Sequence, residues 1–378
     1  MKNKAPRIMI VAGEASGDLL GADLLRSLKK INANITFVGV GGASMQKQGL
    51  KSAFPMSDLS VMGIVEVVPQ LPKILKHFDT LLTMAQAEKI DALITIDSPD
   101  FSFRLAKKIK REMPDLPCLH YVSPHVWAWR RGRIAKMAKF LDHVLALFPF
   151  EPEVYQESGL KCSYVGHPVG QRLADFAPTS AKKPLQKIKR IALCPGSRIS
   201  EVSRLMPVLA ETAELLKSQH TSIEFILPMA EGLNPRLFES YMHLPIKYIK
   251  PAERFEALKS CDAAIATSGT LNLEIAMLGL PMVVVYKLSP ITFRLAKWLV
   301  KIKHFSPVNL VAEGRVVPEL MQDEVSAENI AGHINQLLRD GEERGAQLKA
   351  LDVVRHTIMS VDGKAPSDKA AEIIATYL

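Results

Sequence analysis

Phosphate-binding chemistry is written most plainly between positions 262 and 286. The chain there reads Asp262-Ala-Ala-Ile-Ala-Thr-Ser268-Gly269-Thr270-Leu-Asn-Leu-Glu274-Ile-Ala-Met-Leu-Gly279-Leu-Pro281-Met-Val-Val-Val-Tyr286. An apolar strand over 263–266 runs into Ser268-Gly269-Thr270, which starts a helix. The helix ends at Gly279, and Pro281 opens another apolar strand. A helix start leaves backbone N–H groups without intrahelical partners, and the helix dipole is positive there, so the position suits a phosphate. Gly269 lets a ligand approach the backbone. Glu274 stands one turn further on, where its carboxylate could accept from two neighbouring ribose hydroxyls. An ordinary βαβ unit with a Ser/Thr cap and a solvated Glu has the same pattern, so the rest of the chain must decide.

A second turn of this kind is Ile191-Ala-Leu-Cys-Pro195-Gly196-Ser197-Arg198-Ile-Ser-Glu201. Ser197 opens a helix, and the Arg198 guanidinium can pair bidentately with phosphate oxygens. Glu201 could instead cap the helix or tether Arg198. Two such turns in one α/β half are the expected arrangement for a nucleoside diphosphate held at strand C-terminal ends. Neither matches G-x-x-x-x-G-K-[ST], which disfavours ATP hydrolysis.

The N-terminal half carries chemistry of another kind. Its first strand ends in Gly13-Glu14-Ala15-Ser16-Gly17-Asp18. This is not G-x-G-x-x-G, and Glu14 and Asp18 would repel a pyrophosphate. Two carboxylates and a hydroxyl (Ser16) in a glycine-rich turn suit sugar hydroxyls better, although Asp18 could simply sit at a helix start. Asp97, in Ile94-Thr-Ile96-Asp97-Ser98-Pro99-Asp100-Phe101, stands at the carboxyl end of an apolar strand, where Rossmann-type sites put their chemistry. A carboxylate there is a candidate general base. Asp100 is either a second sugar contact or a cap for the next helix. Then follows His120-Tyr-Val-Ser123-Pro124-His125-Val126-Trp127-Ala128-Trp129-Arg130-Arg131-Gly-Arg133, with two of the chain's three Trp. Aromatic faces beside cations suit a phosphosugar, with Ser123, Trp127 and Arg130 as candidate contacts. His120 and His125 have no carboxylate or Cys at ligand spacing, so no metal is expected.

These groups need a scaffold, and the hydrophobic pattern supplies one. Strand patterns at 7–12, 35–40, 92–96, 118–122 and 144–148 alternate with helix patterns at 18–30, 67–88, 101–112 and 131–140. The polar, Pro-containing stretch 173–188 reads as a linker. A second alternation follows, with strands near 190–194, 222–227, 246–249, 263–266 and 282–286, and a mostly helical tail from 326. The expected fold is α/β of the GT-B type: two Rossmann-like domains facing across a cleft. The expected divisions are an acceptor-side domain at 1–172, the linker at 173–188, a donor-side domain at 189–350 and a helical tail at 351–378.

The chain has 378 residues, enough for two domains with full cores, and its 48% hydrophobic and 6% aromatic content fits a soluble α/β protein. Its four Cys stand singly, which suggests a reducing cytoplasm. The opening residues lack a signal-peptide pattern, and no apolar run is long enough to span a bilayer. The net charge of +9 nevertheless calls for an anionic partner. No nucleic-acid motif appears. The stretch 61–78 is apolar with basic punctuation, more crowded than one core-facing stripe needs. Val65, Val68, Leu71 and Leu75 could dip into a membrane while Lys73 and Lys76 meet headgroups. A strand followed by a core helix would fit the same periodicity.

Taken together these stretches resemble the lipid-A-disaccharide synthases, glycosyltransferase family 19. The resemblance rests on Gly13-Glu-Ala-Ser-Gly-Asp18, Val61-Met-Gly-Ile-Val-Glu-Val67, Asp97-Ser-Pro-Asp-Phe101, His120 to Trp129, Phe148-Pro-Phe-Glu151, Val165-Gly-His-Pro168, Pro195-Gly-Ser-Arg198 with Glu201, Ser268-Gly-Thr270 with Glu274, and the 281–285 run. It implies an inverting transfer, without metal or cofactor, from UDP-2,3-diacylglucosamine to 2,3-diacylglucosamine 1-phosphate (lipid X), giving a β-1,6-linked disaccharide 1-phosphate and UDP. It implies Asp97 as the catalytic carboxylate, and Arg198, Ser268 to Thr270 and Glu274 at the uridine-diphosphate site. Asn309, in Phe305-Ser-Pro307-Val308-Asn309-Leu310, stands near the position of a family Asn, with the Pro shifted. After His167-Pro168, where many members carry an acidic residue, this chain has Val169-Gly170-Gln171. Such an enzyme would be cytoplasmic and peripherally bound to the anionic inner membrane, and the sequence leaves a homodimer open. Glu14, Asp18 and the aromatic 120–133 stretch argue against two related sugar-nucleotide enzymes, the peptidoglycan precursor glucosaminyltransferase and a UDP-sugar 2-epimerase.

Overall fold

The structure is a computed structural model that describes residues 5–59, 71–124, 126, 131–178, 184–230, 232–289, 293–294 and 303–378. Apolar runs such as Arg7-Ile-Met-Ile-Val-Ala12 form strands buried on both faces, as parallel sheets demand. The first sheet contains β1 (Arg7–Ala12), β2 (Thr36–Val40), β3 (Leu50–Ser52), β4 (Ala92–Ile96), β5 (Cys118–Tyr121), β6 (His143–Ala146) and β7 (Lys161–Tyr164). Its order is β3-β2-β1-β4-β5-β6-β7, with every pairing parallel. The second contains β8 (Lys189–Cys194), β9 (Ile223–Pro228), β10 (Ile246–Ile249), β11 (Ala263–Thr267), β12 (Met282–Tyr286) and β13 (Glu319–Met321), in the order β10-β9-β8-β11-β12-β13, again parallel. Both are doubly wound Rossmann-like sheets, and two of them in one chain is the GT-B plan.

In each sheet the strand order reverses beside the first strand, between β1 and β4 and between β8 and β11. The loops leaving these four strands are the ones the sequence marks as chemical. Helices cover both faces. Ala15–Ile31 shows why: Leu20, Leu24, Leu25 and Leu28 fall on one stripe and are buried, and the helix stops at Asn32, whose backbone is extended.

The chain divides into two compact units, Met1–Pro168 with Ser360–Leu378, and Val169–Met359. The divisions expected at 172 and 350 thus stand elsewhere, for packing reasons. In the second unit, Gly170 lies so close to the helix Glu342–Met359 that a Cβ there would meet the Ile358 carbonyl oxygen at 2.2 Å. The last helix, Pro366–Ala375, is not a separate tail. It packs on Ala15–Ile31 with Ala370, Ala371 and Ile374 fully buried in the first unit's core. Ser27 Oγ donates to Asp368 at 2.6 Å, and Tyr377 Oη lies 3.0 Å from His143 Nδ1. Of the expected linker, residues 179–183 lie outside the described residues.

Candidate functional site

In the first unit, the turns after β1 and β4 lie side by side at the carboxyl ends of neighbouring strands. Asp97 is half-buried. Its backbone N–H donates to the Tyr121 carbonyl at 2.9 Å, and its Oδ1 accepts the Ser98 N–H at 2.8 Å. Asp97 and Ser98 both have positive φ, 52° and 44°. Left-handed backbone costs an L-residue roughly 1–2 kcal/mol, and such strain clusters at functional sites. Just past the next strand, β5, Val122 has φ 80°, rarer still for a β-branched residue. The Asp97 turn is held from below: Ser102 Oγ donates to the Asp97 carbonyl at 2.7 Å, and the Phe101 and Ser102 N–H groups donate to Ser98 O. Glu14 is half-buried at the start of the helix Ala15–Ile31, with Ser98 Oγ 3.4 Å from its Oε1. Ser16 is exposed on that helix's first turn. Asp100 is exposed on the first turn of the helix Pro99–Glu112, met by Arg133 Nη2 at 3.4 Å.

Two expected sugar contacts are instead used by the fold. Asp18 is 6% exposed, and its oxygens accept the N–H groups of Ser44 and Met45 at 2.9 and 3.0 Å, capping the helix Ala43–Lys47. Ser123 is 4% exposed, with Oγ 2.8 Å from Tyr155 Oη. Neither carries its polar group toward a ligand. His120 is wholly buried with Nδ1 2.8 Å from Thr95 Oγ1; burial, then the charge of Arg133, depress its pKa to about 3, so it is neutral. Trp127 and Arg130 lie outside the described residues, as do Val65 and Val68 and the Leu71 side chain. Lys73, Leu75 and Lys76 are exposed on the helix Leu71–Glu88, with Lys73 paired to Asp58 at 2.7 Å.

In the second unit the turns after β8 and β11 are likewise adjacent. Gly196 has φ 120°, and a Cβ there would meet Glu201 Oε2 at 2.4 Å, so only glycine permits this turn. Glu201 is both cap and tether. Its Oε2 accepts the Ser197 and Arg198 N–H groups at 3.1 and 3.3 Å, and its Oε1 accepts from Arg198 Nη1 at 3.1 Å. The Arg198 side chain is 76% exposed, so that pair is weak, and the guanidinium keeps donors to offer. After β11, the helix Thr270–Met277 starts at Gly269, beside which a Cβ would find nothing within 4 Å. Buried Asn272 ties the turn from inside, donating to Thr267 O at 2.9 Å and accepting the Gly269 N–H. Ser268 Oγ donates to Phe305 O at 2.8 Å, while Thr270 is exposed. The backbone at Gly269 is thus open to close approach from outside.

Glu274 follows on that helix. Burial pushes its carboxyl pKa up, opposed by the charges of Arg254 and Arg172. Arg254 Nη2 donates to its Oε1 at 2.9 Å and stacks on Phe255, leaving Oε2 unclaimed by Arg254. Sequence reasoning missed Arg254, because nothing local links positions 254 and 274. Asn309 is a correction: it is fully buried, its Oδ1 accepts the Val316 and Val317 N–H groups at 2.8 and 2.9 Å, and its Nδ2 donates to Val317 O at 3.0 Å. It locks the 309–317 loop. Among the described residues no group of three or more His, Cys, Asp or Glu gathers to hold a metal, and no helix is long and apolar enough to cross a membrane.

Comparison with known proteins shows the family and the fold. A lipid-A-disaccharide synthase of Geobacter metallireducens is 40% identical over 343 residues, covering 88% of each chain. One of Pseudomonas putida is 38% identical over 381 residues, covering 98% of each. Among solved structures, MurG of Acinetobacter baumannii aligns with TM-score 0.60 at 13% identity, over 98% of this chain and 99% of that one. A UDP-N-acetylglucosamine 2-epimerase of Listeria monocytogenes, described as putative, aligns with TM-score 0.65 at 15% identity, over 98% and 95%. These distant likenesses carry the fold alone. The model of the lipid-A-disaccharide synthetase family matches residues 8–373, and the chain belongs to that family.

Proposed function

We propose that this protein transfers the sugar of UDP-2,3-diacylglucosamine to lipid X, giving the β-1,6 lipid A disaccharide 1-phosphate and UDP with inversion. The acceptor 6-hydroxyl attacks the anomeric carbon as its proton passes to Asp97. The observation that carries this role is the strained, doubly braced turn at Asp97, which fixes a half-buried carboxylate at the carboxyl end of β4. Glu14 and Ser16 in the neighbouring turn are sugar contacts. On the donor side the Gly269–Thr270 helix start and Arg198 hold the diphosphate, and Glu274 accepts from the ribose hydroxyls. Charge grows on the departing UDP, so these groups act more strongly in the transition state than in the ground state. No metal or cofactor takes part.

Both substrates carry acyl chains, which leave a bilayer at a cost of roughly 0.8 kcal/mol per CH₂. The active site therefore works at the inner-membrane surface on the cytoplasmic side. Val65, Val68, Leu71 and Leu75 insert, while Lys73, Lys76 and Arg130 attract anionic headgroups at about 1 kcal/mol per charge. Incubation with both acylated substrates, followed by analysis of UDP release and of the lipid product, tests the reading. Disaccharide formation supports it. Turnover of UDP-N-acetylglucosamine alone, with no disaccharide, overturns it.

A further inference from the structure

Ser98 lies between the two carboxylates of the first unit and makes a directed contact with each. Its N–H donates to Asp97 Oδ1 at 2.8 Å, and its Oγ reaches Glu14 Oε1 at 3.4 Å, a stretched hydrogen bond. Its backbone is left-handed, φ 44° and ψ 58°, which Gly or Asn adopts far more readily than Ser. It also occupies the N-cap position of Pro99–Glu112, yet its hydroxyl caps nothing. A serine cap normally spends its oxygen on the helix N–H groups. The space for the hydroxyl is also specific. A Cβ at Gly13 would sit 2.9 Å from Ser98 Oγ and 3.3 Å from its Cβ, so glycine at 13 is what admits it.

Strain, a helix cap left unused, a glycine that makes room and a contact to Glu14 converge on one side chain. We propose that Ser98 is a positioning residue for the transfer reaction. Its hydroxyl aims the Glu14 carboxylate, and its N–H holds Asp97 Oδ1, leaving Oδ2 for the acceptor hydroxyl. The inference rests on the reading of Asp97 as the base.

The variants are Ser98→Gly, Ser98→Asn, Gly13→Ala, the double variant of Ser98→Gly with Gly13→Ala, and Asp97→Asn. Each is measured for kcat, acceptor KM, donor KM and thermal unfolding midpoint. Ser98→Gly relieves the left-handed backbone, so a purely structural serine predicts an unchanged or higher midpoint with unchanged turnover. The positioning role predicts that midpoint with kcat down about tenfold, donor KM unchanged, and partial recovery in Ser98→Asn, which keeps a donor and tolerates the backbone. Gly13→Ala displaces the hydroxyl without removing it and lowers kcat similarly. In the Ser98→Gly background Gly13→Ala has nothing to displace, so its effect vanishes. Equal kcat for Ser98→Gly and the parent, with Asp97→Asn inactive, overturns the role of Ser98 alone. Near-normal turnover in Asp97→Asn overturns the reading of the site beneath it.

Discussion

Arg254 is the most informative place to disturb the donor half. Arg254→Gln keeps length and hydrogen-bonding capacity but removes the charge facing Glu274 at 2.9 Å. The Glu274 side chain is 14% exposed and Arg254 33%, between a surface pair and a buried one. Surface pairs contribute about 0.2–1 kcal/mol, and breaking a buried pair costs about 3–5 kcal/mol. An intermediate cost of roughly 1–3 kcal/mol in folding stability is expected at neutral pH, and UDP affinity falls in proportion to the fraction of Glu274 carboxylate lost to protonation, since the charged form accepts the ribose hydroxyls. The pH dependence follows from the direction of the shift. Burial already raises the folded carboxyl's pKa, and of the two cations opposing it Arg254 has the larger effect. Without Arg254 it rises further. A folded-state pKa above the unfolded one means that the stability contribution is present at low pH and is lost as pH rises through the folded value. Arg254→Gln should therefore lower the unfolding midpoint at neutral pH and approach the parent in acid. Its UDP affinity should fall off at a higher pH than the parent's as the medium is acidified. Calorimetric UDP titration and thermal melts between pH 5 and 8 read both effects. A stability difference independent of pH, with UDP binding unchanged, would refute the coupling.

Arg198→Ala should lower kcat as well as raise donor KM, because the diphosphate's charge grows during transfer; a change confined to acceptor KM would put the donor in the wrong unit. Asp18→Ala should lower stability by about 0.5–2 kcal/mol through the lost cap, in a denaturant titration, without singling out acceptor KM. Changing Val68, Leu71 and Leu75 together to Ser should release the protein from anionic vesicles and reduce activity on vesicle-borne substrate more than on detergent-dispersed substrate. A folded triple variant that still sediments with vesicles would move membrane docking elsewhere on the basic surface.

The regular elements were legible because parallel strands buried on both faces are unbroken apolar runs: 92–96 and 282–286 are strands as read. The chemical turns were legible because Gly and Pro punctuate them. What could not be read was where polar side chains spend their hydrogen bonds. Asp18 and Asn309 have the residue types of ligand contacts, but their partners are backbone N–H groups further along the chain, in the first turn of Ala43–Lys47 for Asp18 and in the 316–317 loop for Asn309. Nothing in the local pattern separates such a use from binding. Ser123 fails for the same reason, its partner Tyr155 lying on another element. Positive φ at Asp97 and Ser98 was equally hidden, since neither residue is glycine. The packing of Pro366–Ala375 into the first unit depends on contacts with residues near 27, far away in sequence.

That return of the chain sets an order on biosynthesis. The first unit's sheet is complete once β7 has left the ribosome, but the stripe that receives Ala370, Ala371 and Ile374 has no cover until the second unit has been made. The roughly 190 intervening residues take about 10–40 s to synthesise at ordinary elongation rates, during which that apolar groove stays open to water or a chaperone. The second unit, continuous in sequence, can fold first although it is translated later. A chain arrested just before residue 366 would carry the whole second unit and a first unit with an uncovered groove, a species prone to aggregate rather than a smaller working enzyme.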